Sequence, residues 1–517
     1  MNDPVDVEVL VVGAGFSGIG AAIKLGEAGI TDWMIVEAGD GAGGTWHWNT
    51  YPGVAVDIPS FSYQFSFAQR RTWSRSYAPG SELKAYAEWL IDRYRLRPRI
   101  RFGTTVTRAR FDSSVDRWRI ETGDGTPITA RFLFNASGVL TTPKAPDIDG
   151  IADFAGTTVH TSRWDHAVDL TGKRVGVIGT GASAVQLIPA VADRVGTLSV
   201  FQRTPIWCFP KPDVSLPGPL RRLLGVPGAA SAVRAASQAL VEITFPIAAH
   251  YHRRLHLATM LERAGRWWLR RQVRDPQTRA ALTPAYGLGC KRPSFHNAYL
   301  STYNQDHVHL ITDAITKVTP DGITTADGQH YPLDVLVLAT GFKVMERDNI
   351  PTYELIGAND RSLADYWGEN RLQAYEGVAI PGYPNFFTVF GPYGYNGSSY
   401  FALIEAQVHH IVRCLREARH RNATRVEVTP EANERYFGEM MRRRVNQVFW
   451  QQSCTGSNSY YFDDNGDVGL RPTTTLESAT RSRRFDLDDY RYTALERDLR
   501  PVSNGASTDP APGTVTR

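Results

Sequence analysis

A glycine-rich turn that occurs twice restricts this chain more than any other feature. Near the N-terminus, Asp6-Val7-Glu8-Val9-Leu10-Val11-Val12 reads as a buried strand and runs straight into Gly13-Ala14-Gly15-Phe16-Ser17-Gly18. Helical spacing follows from Ile19 to Ala28, and Trp33 to Glu37 reads as the next strand. Strand, turn, helix and strand in that order make a βαβ unit, which predicts a parallel sheet with a right-handed crossover. The order returns with a strand over 173–178, the turn Gly179-Thr180-Gly181-Ala182-Ser183-Ala184, a helix over 185–195 and a strand over 197–201. The chain is therefore expected to be α/β, with two Rossmann-like dinucleotide-binding domains.

A lone GxGxxG is weak evidence; one that closes a strand and opens a helix is stronger. Its glycines let the backbone approach a pyrophosphate that sits on the positive helix N-terminus. Glu37 stands 24 positions after Gly13, and Arg203 stands 24 positions after Gly179. A carboxylate accepts from ribose hydroxyls and repels a 2′-phosphate, whereas a guanidinium pairs with that phosphate. The contrast predicts FAD on Gly13, Gly15, Phe16, Ser17, Gly18 and Glu37. It predicts NADPH on Gly179, Gly181, Ala182, Ser183, Ala184 and Arg203, with the Thr204 hydroxyl beside the arginine.

Small-residue turns follow the apolar runs at Asn135-Ala136-Ser137-Gly138 and Ala339-Thr340-Gly341. Such turns suit the crossings between two domains, so the NADP domain is expected to be inserted in the FAD domain. The expected division is 1–150 and 335–498 for the FAD domain and its substrate-side segment, and 151–215 with 286–334 for the NADP domain. Residues 216–285 form a helical subdomain, and 499–517 a disordered tail rich in Gly, Ser, Thr and Pro. The helical stretch is basic and carries Trp267 and Trp268. It reads as a solvated face or a membrane-surface helix, with the first preferred.

At 517 residues the chain is too long for one core. A net charge of only +4 argues against a nucleic-acid footprint. No signal peptide and no run of about 18 apolar residues is seen, so a cytoplasmic protein without a membrane span is expected. Cys208, Cys290, Cys414 and Cys454 stand far apart, which excludes a CxxC redox pair and a zinc knuckle. They are read as reduced thiols, and no metal is expected. The missing proximal pair also argues against a flavin disulfide reductase.

Between the two units, Phe154-Ala155-Gly156-Thr157-Thr158-Val159-His160-Thr161-Ser162-Arg163-Trp164-Asp165 fits FxGxxxHxxxW[PD] at every specified position. Gly43-Gly44-Thr45-Trp46, Tyr51-Pro52-Gly53 through Asp57, Phe201-Gln202-Arg203-Thr204-Pro205, Cys290-Lys291-Arg292-Pro293 and Gly382-Tyr383-Pro384-Asn385 extend the match. From about residue 5 to about residue 475 the chain resembles the type I Baeyer–Villiger monooxygenases. The resemblance implies that NADPH reduces FAD, that the reduced flavin captures dioxygen as a peroxide, and that this attacks a ketone to give an ester or lactone. It implies Arg292 as the active-site cation, Asp57 as the carboxylate that positions it, and Lys291 on the NADP phosphate with Arg203 and Thr204. Gly44, Thr45, Trp46, Asp57 and Tyr63 join the flavin side.

Phe154, Gly156, His160, Trp164 and Asp165 are implied to couple domain motion, with His160 favoured in that role over proton transfer. Tyr393, Tyr395, Asn396, Tyr460 and Phe462 are candidates to line a ketone pocket. The sequence departs from many relatives at Ser459-Tyr460-Tyr461, where they carry Ser-Trp-Tyr. The expected partners are a small ketone and O2, with no nucleic acid and no membrane, in a monomer or homodimer. The alternative is a flavin-containing monooxygenase that oxidises nitrogen or sulfur; its fingerprint ends in Tyr or Phe, and Trp164-Asp165 argues against it.

Overall fold

Strand Val5–Val12 sits between Ile128–Asn135 and Trp33–Val36, parallel to both, inside an eight-stranded sheet. The computed structural model describes residues 5–495 other than 225, 256, 345 and 458; the tail expected from 499 lies outside the described residues. Val9 to Val12 are all buried, as both faces of a covered parallel strand require. The helix Phe16–Glu27 covers one face together with the 21-residue helix Tyr400–His420. An antiparallel meander, Val106–Asp112 and Arg117–Thr122, extends the sheet beyond Ile128–Asn135.

A second sheet is parallel throughout, in the order Val308–Ile311, Thr197–Phe201, Arg174–Ile178, Val335–Leu338, Thr157–His160. Its strands all fall between Ile128–Asn135 and Phe386–Thr388, which are neighbours in the first sheet. The second Rossmann-like layer is thus inserted in the first. One boundary is corrected. Val335–Leu338 was assigned to the returning FAD segment, but it pairs with Arg174–Ile178 in the second sheet. The chain goes back only after Leu338, because the apolar run ends there and not at its start.

The stretch expected to be helical contains Ala229–Glu242, a π-helical turn Ile243–Ile247 around Pro246, and Leu257–Gln272. Proline removes a backbone donor, which fits the widened turn. Just beyond it, His250 is buried and ties three segments together. Its Nε2 donates to the Asn396 carbonyl at 2.8 Å, and its Nδ1 accepts from Gln447 Nε2 at 3.0 Å. Burial pushes the His250 pKa from 6.5 down to about 4. The folded value lies below the unfolded one, so this stability is complete above pH 6.5 and is lost as pH falls toward 4. Thermal unfolding is expected to show a loss on the order of 3 kcal/mol across that window, and His250→Asn should flatten it.

Candidate active site

Both glycine turns are built alike. Gly13 has φ +107°, and a Cβ there would lie 2.7 Å from the Ala136 carbonyl oxygen. Gly179 has φ +115°, and a Cβ there would lie 2.5 Å from the Ala339 carbonyl oxygen. In each unit the turn is pressed onto the small residue that ends a neighbouring strand, which explains the Asn135–Gly138 and Ala339–Gly341 turns. Helices Phe16–Glu27 and Ala182–Val191 start at Gly15 and Gly181 with no side-chain cap, so their first N–H groups face outward for an anion. Glu37 is buried at the strand end, where its carboxylate accepts from the Ala14 N–H at 2.7 Å and the Gly39 N–H at 2.8 Å. These bonds hold the acid against the first turn, as a ribose partner must be held.

Arg203 follows strand Thr197–Phe201 at the matching place, and the Thr204 carbonyl accepts from the Thr180 hydroxyl at 2.7 Å. Burial first, and then the neighbouring Arg203, push the Lys291 ammonium down to about 8. Two cations are held close together there, which suits a phosphate.

The loop after Thr45–Trp48 carries Asp57 across to the second domain. Tyr51 donates to Gln186 Oε1 at 2.8 Å, and Gln186 Nε2 donates to the Ala55 carbonyl at 2.9 Å. Asp57 Oδ2 then accepts from Arg292 Nε at 2.8 Å, and Arg292 Nη1 donates to the Tyr395 hydroxyl at 3.2 Å. Burial raises the Asp57 pKa, but Arg292, helped by Lys211, outweighs this and holds the carboxyl below its usual range. Burial disfavours the Arg292 charge, and Asp57 more than restores it, so the guanidinium never titrates. Trp46 Nε1 donates to the Tyr63 hydroxyl at 3.3 Å, and the two rings meet edge-on nearby.

His160 stands where the chain crosses between sheets. Its Nδ1 accepts from the Ser162 N–H at 3.1 Å, and its Nε2 lies 3.3 Å from the Thr340 hydroxyl. Thr340 in turn donates to the Lys144 carbonyl. Burial, then Arg163, lower its pKa, so it is neutral at pH 7. Phe154 is buried, and a Cβ on Gly156 would meet the Phe154 ring at 2.6 Å. Trp164 packs against the second domain's core, and Asp165 accepts from the Ala167 N–H at 2.9 Å.

Two residues that sequence reasoning passed over stand at the Arg292–Asp57 pair. Phe245 comes from the helical stretch, with its ring centre 5.9 Å from the Arg292 Cζ. Lys211 is buried near Asp57, over the Tyr77 ring at 5.0 Å. Neither stands in a motif; a lone Lys in Phe-Pro-Lys-Pro-Asp was the only hint. Of the pocket candidates, Tyr395 touches Arg292. Tyr460 is exposed and lies tilted against the buried Tyr461 with ring centres 4.6 Å apart, and Phe462 packs on Trp450. Tyr393 and Asn396 are core braces instead: Tyr393 packs on Phe437, and Asn396 donates to the Thr473 carbonyl.

The cysteines need a correction. Cys290 and Cys454, 164 positions apart, are joined as a disulfide, while Cys208 and Cys414 are buried free thiols. No local spacing marks the pair, because it forms only where the Tyr286–Arg292 loop packs on the Val448–Cys454 segment, with the Gly287 N–H donating to the Ser453 carbonyl at 3.1 Å. Among the described residues no group of three or more His, Cys, Asp or Glu could hold a metal, and no helix is long and apolar enough to cross a membrane.

A family model described as pyridine nucleotide-disulphide oxidoreductase matches residues 10–217, the stretch with both glycine turns. A Baeyer-Villiger monooxygenase of Streptomyces coelicolor is 35% identical over 94% of this chain and 92% of its own. One of Pseudomonas aeruginosa is 33% identical over 96% and 94%. Among solved structures, a steroid monooxygenase bound to NADP superposes with a TM-score of 0.84 at 30% identity, over 95% of this chain and all of its own. Cyclohexanone monooxygenase from Rhodococcus sp. Phi1, bound to NADP+, gives 0.84 at 29% over the same shares. With an arginine–aspartate pair where its two nucleotide domains meet, and with relatives of one kind along nearly its whole length, the chain belongs to the Baeyer–Villiger monooxygenases.

Proposed function

We propose that this monooxygenase holds FAD on the Gly13–Gly18 turn and NADPH on the Gly179–Ala184 turn, and inserts one atom of O2 beside the carbonyl of an apolar ketone. The observation that carries this reading is the Arg292–Asp57 pair, braced from both domains and roofed by Phe245 and Tyr395. When bound, the flavin supplies activated oxygen and the nicotinamide supplies the electrons for it.

The protein's part is electrostatic and steric. Arg292 keeps a fixed positive charge for the oxyanion that develops as the ketone is attacked. Asp57 and Tyr395 aim that charge through two hydrogen bonds. The aromatic side chains around it limit water, so the cation acts in a low dielectric. Arg203 and Lys291 receive the 2′-phosphate. His160, neutral and bonded across the crossings, couples the two domains. The residues fit both nucleotides: Gly13 and Gly179 leave no room for a Cβ, and the acid and the cations stand at matching places in the two units.

Product analysis by mass spectrometry tests the reaction. Purified protein with FAD, NADPH and air should convert a ketone in a mixed cyclic, linear and aryl panel into an ester or lactone; sulfoxide or amine oxide as the sole product would overturn the proposal. A pH series tests the phosphate site. Lys291 loses its charge above about pH 8, so the KM for NADPH should rise there while that for NADH stays flat. In Arg203→Ala the inflection should move to higher pH, because a like charge has gone.

A further inference from the structure

Of the fifteen large apolar side chains left exposed among the described residues, nine lie between 220 and 267. A scattered exposed leucine needs no explanation, but such a concentration along one stretch of the chain calls for one. On the helix Leu257–Gln272, Met260 is 68% exposed and Trp267 is 58% exposed. They are seven positions apart and share one face. The buried positions Ala258, Gly265 and Leu269 form the opposite face.

Charge is concentrated in the same stretch. Residues 218–272 contain nine arginines and two glutamates, in a chain whose net charge is +4. Both glutamates turn inward: Glu242 accepts from the Thr475 N–H at 2.7 Å, and Glu262 accepts from the Leu288 N–H at 2.8 Å. Arg234 faces Glu405 at 4.0 Å. The other eight arginines are exposed, and none has a carboxylate within 4 Å among the described residues. Arg271 lies over the Trp267 ring at 5.9 Å, so the indole is flanked by cation.

We propose that this helical subdomain docks the enzyme on the surface of an anionic lipid bilayer. Trp and aliphatic side chains on a helix with an arginine-rich flank match the interfacial layer, where rings enter the headgroup boundary and cations meet lipid phosphate. The eight unpaired arginines would repel their own copies across a symmetric dimer contact, which argues against a second copy of this chain as the occupant. The same subdomain also reaches the site. Ile243, exposed, and Phe245, over Arg292, stand two positions apart in one π-helical turn. An apolar ketone dissolved in the bilayer would reach the arginine through this turn without crossing water; this last step rests on the proposed ketone chemistry, whereas the docking does not.

Vesicle co-sedimentation of the holoenzyme tests it. Wild type should pellet with phosphatidylcholine–phosphatidylglycerol vesicles and much less with phosphatidylcholine alone or at about 0.5 M salt. The double variant Met260→Ser/Trp267→Ser and the triple variant Arg263→Glu/Arg270→Glu/Arg271→Glu should each bind about tenfold more weakly. Both should keep wild-type turnover of a water-soluble ketone, which shows that they fold and separates this test from that of the reaction. Failure of wild type to pellet, or equal pelleting of wild type and variants, would overturn the proposal. So would a lipid-free dimer, or a complex with an acidic protein, that the same variants abolish while vesicle binding persists.

Discussion

Arg292→Ala is expected to keep its FAD and to oxidise NADPH, yet to form ester at least ~10³-fold more slowly, with the electrons leaving as hydrogen peroxide. The separation follows from the geometry. Among the described residues the partners of Arg292 are Asp57, Tyr395 and Phe245 rather than either glycine turn, so nucleotide binding should survive its loss. What goes is the cation hydrogen-bonded to Asp57 where the domains meet, and with it the main partner that holds Asp57 ionised. A small side chain also leaves Asp57 buried with Lys211 alone as a counter-charge, which favours its protonated form. Arg292→Lys should recover only part of the rate, since an ammonium cannot repeat the forked contact to Asp57 and Tyr395. Ester yield and peroxide yield, measured against NADPH consumed, check this. A normal ester yield from Arg292→Ala would remove the residue from the mechanism.

Arg203→Ala should raise the KM for NADPH roughly 10- to 100-fold and leave that for NADH within about twofold, as expected for one charge-assisted phosphate contact. Lys291 would remain, so selectivity should weaken without reversing. Steady-state kinetics with both nucleotides decide the matter: equal effects on the two would mean that Arg203 does not read the 2′-phosphate.

The parts legible in the sequence were those governed by short spacing. The two turns, Glu37 and Arg203 lie within one βαβ unit each, where strand and helix lengths fix the offset between glycine and charge. Arg292 and Asp57, 235 positions apart, came from resemblance alone, since no local rule links residues so distant. The Cys290–Cys454 bond was misread for the same reason. Phe245 was invisible because an aromatic in an apolar helix looks like core, and only the widened turn at Pro246 aims it at the arginine. The misplaced boundary at 335 has another origin: an apolar run declares a strand but not the sheet it joins.

The Gln186 clasp has a mechanical consequence. Asp57 belongs by chain order to the larger domain, yet its loop is bolted through Tyr51 and Ala55 to a helix of the smaller one, and Arg292 lies in that smaller domain's part of the chain. The same loop is also held to the larger domain, where the Val56 N–H donates to the Ala78 carbonyl at 3.0 Å and the Gly80 N–H to the Val54 carbonyl at 2.9 Å. The ion pair is thus a rivet through both bodies: a rotation of one domain on the other strains either the Gln186 clasp or the bonds to Ala78 and Gly80, so the charge cannot move without loosening that joint.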